Sequence, residues 1–229
     1  MTRQGKLKSL GLVARNNAPT VRILLTLAAA FTLTFMFLRL AGEVGEGETI
    51  EFDRHFLLLA QSVRAAHTWV PEVMRDLSGL GSTVTLTLIT VSAVSYLLWF
   101  SRKRIALLLA MSILSGTGLV SLFKAAFGRT RPDAAYSDFV VSGWSFPSGH
   151  ASMAAIVFLS LGVLTASTRP KRAEKTFILL IAVVLTTLVG LSRIALGVHY
   201  ATDVLGGWAF GTAWAIAWLL IANAYAGSD

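Results

Sequence analysis

Three short polar motifs interrupt an otherwise apolar chain of 229 residues. Lys124 is followed seven residues later by Arg131-Pro132; Pro147-Ser148-Gly149-His150 comes next; Ser192-Arg193 is last, with His199 and Asp203 behind it. Lys124, Arg131 and Arg193 can neutralise a phosphate, the arginines through bidentate hydrogen bonds that match its geometry. Ser148 and Gly149 stand where a helical pattern begins, and the free N–H groups and positive dipole end of a helix start favour an anion. Gly149 also lets the backbone approach that anion closely. His199 and Asp203 are four residues apart and so share one helix face. A carboxylate on one ring nitrogen fixes the tautomer and leaves the other nitrogen nucleophilic. His150, on a different helix, is then placed to protonate a departing oxygen and afterwards to activate water. The inventory suits phosphoryl transfer through a phosphohistidine. No carboxylate cluster is available for magnesium, so Lys and Arg replace the metal; no metal and no cofactor is expected.

The elements that must position these residues are membrane spans. A hydrophobic fraction of 55%, 14% charged residues and a mean hydropathy of +0.67 describe an integral membrane protein. Six stretches reach the roughly 20 residues that a helix needs to cross a bilayer: 22–40, 82–100, 104–124, 150–168, 176–196 and 203–223. Barrel strands would alternate polar and apolar residues, which these do not. The expected fold is therefore an all-α bundle of six transmembrane helices, one domain over residues 1–229, with the chemistry in 124–203. Residues 41–81 form an external excursion, in which Ile50 to Ala66 reads as an amphipathic interfacial helix. It is either a cap on the bundle or a lateral gate for lipid. Pro71 and Gly79–Gly81 punctuate the way to the second span.

The net charge of +8 is not a nucleic-acid footprint. Its surplus lies in Arg3, Lys6, Lys8, Arg15 and Arg22, in Arg102, Lys103 and Arg104, and in Arg169, Lys171, Arg172 and Lys175. These fall in the first, third and fifth extramembrane segments, so the positive-inside rule makes that side cytoplasmic, with both termini there. The apolar run from Ile23 to Leu38 exceeds a secretory h-region and reads as a retained anchor. With this orientation all motif residues collect at the extracytoplasmic face. Taken singly, Lys124 and Arg193 read as snorkelling residues at span ends and Pro-Ser-Gly-His as a turn; their shared sidedness argues against three coincidences. Arg129 reads as either an outer phosphate charge or a solvated loop residue, and Ser145, Asp133 and Asp138 as loop residues. His55 and His67 read as interfacial. Trp69, Trp99 and Trp144 suit aromatic belts, and Gly207 and Gly211 suit close helix packing. The chain has no cysteine, which removes disulfides and thiolate metal sites.

In KAAFGRTRP, PSGH and SRIALGVHYATD the chain resembles the type 2 phosphatidic acid phosphatase superfamily, whose signature is Lys-x6-Arg-Pro, Pro-Ser-Gly-His and Ser-Arg-x5-His-x3-Asp. The resemblance covers residues 80–223 and is complete at every motif position. It implies a six-helix lipid phosphatase, of the kind found in bacterial inner membranes, with its site at the extracytoplasmic face. It makes His199 the nucleophile, Asp203 its partner and His150 the acid/base, with Lys124, Arg131, Ser148, Gly149 and Arg193 on the phosphate. It leaves the lipid open among undecaprenyl diphosphate, phosphatidylglycerol phosphate, phosphatidic acid and lipid A phosphates, and the oligomeric state open as well. One rival is a phosphotransferase that passes the group to a lipid acceptor. A transporter would place polar groups near the midplane, which this chain does not. A vanadate-dependent haloperoxidase shares the site chemistry but is soluble.

Overall fold

The computed structural model describes residues 3–137 and 141–226, with side chains from residue 20 onward except those of Arg22, Tyr225 and Ala226. The side chains of Arg3, Lys6, Lys8, Arg15 and Arg22, and the loop residue Asp138, lie outside what is described. The described chain is helical throughout its regular elements: α1 (Arg3–Glu46), α2 (Ile50–Ala66), α3 (Val70–Gly79), α4 (Thr83–Trp99), α5 (Lys103–Phe127), a 3-10 turn (Ala134–Tyr136), α6 (Gly149–Ser167), α7 (Arg172–Ala195) and α8 (Ala201–Ala226). Among the described residues six stretches are long and apolar enough to cross a membrane: Ile23–Glu46, Val70–Trp99, Lys103–Phe127, Gly149–Ser167, Arg172–Ala195 and Ala201–Ala224. The chain is an all-helical integral membrane protein, as its composition requires.

The expected second span, 82–100, is present as α4, and the apolar stretch also runs back through α3 to Val70. That stretch is two helices, because the chain turns at Leu80-Gly81-Ser82 and restarts where the Ser82 hydroxyl accepts from Thr85 N at 3.2 Å. Pro71 does not prevent α3, since it lies in the first turn, where a missing N–H leaves no bond unmade.

The core is built around α6, which packs against α7 and α8 and also meets α4 and α5. Small residues bring α6 and α8 together. A Cβ on Gly211 would lie 2.5 Å from the Ser152 carbonyl oxygen and 2.8 Å from Ala155 Cβ, so only glycine permits this approach. Outside α8 runs α1, pinned by an aromatic cluster in which Phe37 stands 5.8 Å from Phe146, 5.7 Å from Phe210 and 5.1 Å from Phe123. Phe146 is fully buried and immediately precedes the Pro147-Ser148-Gly149-His150 motif, so the cluster anchors that loop in the bundle.

The helix expected over Ile50 to Ala66 is present as α2, and it packs against α7 and α8. Its inner stripe is Asp53, Leu57, Ala60 and, half-buried, Arg64, while Phe52, Leu58, Leu59 and Val63 are exposed. Two charged groups of this helix, Asp53 and Arg64, therefore face protein, while Glu51, Arg54, His55 and Gln61 and several of its apolar residues face outward. Helix directions put Arg102–Arg104 and Arg169–Lys175 at one end of the bundle, and the three motifs at the other.

Candidate active site

His199 lies in the turn between α7 and α8 and is buried. That turn closes on Gly197, held at φ +70°, where a side chain would overlap the Tyr136 carbonyl oxygen. Arg64 of α2 holds the same corner, donating to the Tyr136 carbonyl at 2.5 Å and to that of Ala195. The nucleophile candidate thus sits on fixed backbone.

The proton positions around His199 follow from its neighbours. Arg131 Nη1 lies 3.0 Å from His199 Nε2, and a guanidinium has no acceptor, so Nε2 must carry the lone pair. The ring proton is then on Nδ1, which faces Asp203 Oδ2 at 3.2 Å and Ser145 Oγ at 3.3 Å. Ser145 in turn donates its hydroxyl hydrogen to Asp203 Oδ2, which leaves its oxygen free to accept from Nδ1. Burial above all, aided by the charges of Arg131 and Arg193 and opposed by Asp203, pulls the His199 pKa down to about 4. The imidazole is neutral at ordinary pH, with its free nitrogen turned to the cations.

Asp203, in the first turn of α8, is fully buried and saturated with donors. Besides His199 and Ser145 it accepts from Tyr200 N at 2.9 Å and from Arg129 Nη1 at 2.6 Å. Arg129 also donates through Nη2 to Asp53 Oδ2 at 2.6 Å, and its guanidinium lies 4.2 Å from the centre of the Tyr200 ring. Burial disfavours the charge on Arg129, but Asp203 and Asp53 outweigh that and raise its pKa. Asp53 accepts from Thr202 N at 3.0 Å and Thr202 Oγ1 at 2.7 Å, so it caps the start of α8 while holding Arg129. Arg129 is thus neither a solvated loop residue nor an outer phosphate charge, but the link between two buried carboxylates. Likewise Ser145, expected to serve the loop, is buried against His199 and Asp203. Asp133 does serve the loop: its side chain accepts from Ala135 N at 2.8 Å.

The phosphate-binding candidates converge on the same end. Lys124 Nζ donates to the carbonyls of Trp144 at 2.6 Å and Ser145 at 3.3 Å, and its Cε lies 3.7 Å from where a Gly149 Cβ would stand. Ser148 caps α6 by accepting from Ala151 N at 3.5 Å, and its own N–H donates to the Asp203 carbonyl at 2.9 Å. The motif loop is thereby stitched to α8. Arg131 is held by the carbonyls of Gly143 at 3.0 Å and Val198 at 2.9 Å, and burial lowers its pKa. Arg193 donates to Ser78 Oγ of α3 at 2.5 Å. Its Nε is buried with no hydrogen-bond partner, a donor left available for a ligand. His150 is within electrostatic reach of Arg193, His199, Arg131 and Lys124. Among the described residues no group of three or more His, Cys, Asp or Glu is arranged to hold a metal ion.

A cavity of about 580 Å³ leads away from this end between α4 and α5. Lys124, Gly149 and His150 line its head, and Val91, Ile113, Leu114 and Val120 line its body.

A model of the PAP2 superfamily matches residues 105–225. The chain is 33% identical over 184 residues to phosphatidylglycerophosphatase B of Bacillus subtilis (strain 168), which covers 79% of this chain and 88% of that one. It is 34% identical over 105 residues to lipid A 1-phosphatase of Rhizobium johnstonii, over 42% of this chain and 38% of the relative. In structure it is similar to the transmembrane PAP2 type phosphatidylglycerolphosphate phosphatase from Bacillus subtilis, with a TM-score of 0.78, 28% identity, and 87% of this chain and 97% of that one covered. Aquifex aeolicus LpxE superposes with a TM-score of 0.54 and 25% identity over 72% of this chain and 93% of the other.

Proposed function

The chain belongs to the PAP2 superfamily and is a membrane lipid phosphatase, and we propose that it works through a phosphohistidine on His199. The observation that carries this reading is the tautomer: Nδ1–H is engaged by Asp203 and Ser145, and the lone pair of Nε2 points at a cation. Arg131 occupies the direction from which phosphorus would approach, and a bound phosphate takes up that guanidinium as a ligand and frees Nε2. The phosphate is held by Lys124, Arg131, the orphaned Nε of Arg193 and the start of α6 at Ser148 and Gly149. These cations supply the charge that magnesium supplies in other phosphoryl transfers, so no metal is required.

In the first step the Nε2–P bond forms and the P–O bond to the lipid breaks, with protonated His150 giving its proton to the lipid oxygen. In the second, water attacks phosphorus, His150 takes its proton, and the Nε2–P bond breaks to release inorganic phosphate. Asp203 keeps the Nδ1 proton and stabilises the charge the ring acquires. Binding more charge in transfer than at rest is what makes the cationic seat catalytic.

The lipid chain lies in the cavity between α4 and α5, which meets the bundle's outer surface at Val91 and Leu114. The long match to a phosphatidylglycerophosphatase supports a glycerophospholipid phosphate over a lipid A phosphate as substrate. The clusters Arg102–Arg104 and Arg169–Lys175 support an active site on the extracytoplasmic face of a bacterial inner membrane, with cytoplasmic termini.

Purified protein in detergent with EDTA, given phosphatidylglycerol phosphate, phosphatidic acid, undecaprenyl diphosphate and lipid A in turn, is expected to release inorganic phosphate fastest from a glycerophospholipid phosphate. Loss of phosphate from the lipid without free phosphate, and with a second lipid gaining it, would replace hydrolysis by phosphotransfer.

A further inference from the structure

A second cavity, of about 800 Å³, opens at the opposite end of the bundle between the start of α5 and the ends of α6 and α8. Its size is that of a ligand site. The 21 residues from Lys103 to Lys124 place it about 30 Å along α5 from the catalytic end, at roughly 1.5 Å per residue. It has no part in the chemistry described above. Its mouth carries three consecutive exposed cations, Arg102, Lys103 and Arg104, with Ser101, Ser167 and Asn223 beside them. Among the described residues no carboxylate lines it. Below the mouth the walls turn apolar, through Leu108, Val163, Ile216 and Leu219. The gradient from a cationic rim to an apolar interior, across the thickness of one leaflet, is the complement of a lipid with an anionic head.

We propose that this cavity is a binding site for an anionic glycerophospholipid of the surrounding leaflet. Its head-group phosphate lies against Arg102, Lys103 and Arg104, and one acyl chain runs between α5, α6 and α8. Basic pockets between spans recognise anionic head groups in this way, each nearby cation being worth roughly fivefold in affinity. The occupant fills the gap between α5 and α8 at this end and so fixes the seam that the α6 contacts leave open. It is not the substrate bound for turnover, since no motif residue lines the cavity.

The test is native mass spectrometry of the detergent-purified full chain titrated with phosphatidylglycerol and, separately, phosphatidylcholine. The native protein is expected to retain phosphatidylglycerol at least tenfold more tightly. The variant Arg102→Gln/Lys103→Gln/Arg104→Gln should lose at least tenfold of that affinity, and Ala222→Trp, which fills the mouth, should weaken both lipids. Lys171→Gln/Lys175→Gln removes two cations at the same end that do not line the cavity, and should change affinity less than twofold. If the triple variant does not fold, Arg102→Gln and Lys103→Gln singly should each weaken phosphatidylglycerol by threefold or more. Equal retention of the two lipids by the native protein would overturn the proposal. So would an equal loss in the Lys171→Gln/Lys175→Gln control, or unchanged binding in Ala222→Trp.

Discussion

Replacing Asp53 by Asn removes one charge from a residue that touches neither His199 nor the phosphate seat, and it should nevertheless slow turnover. Asp53 is 1% exposed and accepts from Arg129 Nη2 at 2.6 Å, Thr202 N at 3.0 Å and Thr202 Oγ1 at 2.7 Å. Asn keeps one acceptor of the same size, so the cap on α8 is partly retained, but the charge-assisted bond to Arg129 is lost. Such a bond is worth about 1.5–3 kcal/mol, and Arg129 then keeps Asp203 as its one charged partner, beside the Thr202 and Thr49 hydroxyls. If orientation of Asp203 carries that whole energy into the transition state, kcat falls by roughly 10- to 150-fold, at 1.36 kcal/mol per tenfold. KM should stay within about threefold, because the phosphate ligands are untouched. Phosphate release over a range of lipid concentration measures both. A double-mutant cycle adds Arg129→Gln: the double variant should be little slower than Arg129→Gln by itself, because the two residues act on Asp203 as one chain. A folded Asp53→Asn protein with native kcat, or strictly additive losses in the cycle, would refute the link from α2 to the nucleophile.

Three further outcomes follow from the same geometry. The folded pKa of His199, about 4, lies below the 6.5 of an exposed histidine, so the unfolded chain binds more protons between those values. Stability should accordingly be full above pH 6.5 and fall by about 3 kcal/mol as pH drops to about 4; thermal melting of His199→Asn should lack that component, whereas a native protein stabilised by acidification would contradict the neutral, buried ring. Gly211→Val forces a side chain into the Ser152 carbonyl and Ala155, and overpacking of about 1–3 kcal/mol or more should lower the melting temperature by several degrees; an unchanged melting temperature would mean that α6 and α8 are not in close contact. Vanadate, a trigonal-bipyramidal mimic of the transferring phosphoryl group, should inhibit competitively while EDTA leaves the rate unchanged; loss of activity in EDTA that magnesium restores would refute the metal-free reading.

What was legible in the sequence was whatever is written locally. Apolar runs of spanning length announce helices wherever they pack, and fixed spacings within each motif place Lys124, Arg131, Ser148, Gly149, His150, Arg193, His199 and Asp203 near helix ends. The break at Leu80-Gly81-Ser82 was visible only as punctuation, because Pro71 signals a helix start as readily as a stop. Asp53 was hidden among Glu46, Glu48 and Glu51, where a carboxylate reads as part of an acidic external loop. Its role depends on α2 reaching the start of α8, a contact between residues 149 positions apart. A signal was nonetheless present: Asp53, Leu57, Ala60 and Arg64 follow helical spacing, so a charge at each end of a small apolar stripe marked a face that meets polar partners. Arg129 and Ser145 have no such pattern, for both take their function from a buried carboxylate that only tertiary folding supplies.

The central claim is a covalent phosphoryl group on His199 Nε2. Native protein mixed with a lipid phosphate, quenched in alkali within one turnover and digested, should yield a phosphorylated peptide that carries His199, and His199→Asn should give neither adduct nor phosphate release. Turnover by His199→Asn within tenfold of native, or an adduct on any other residue, would contradict the account.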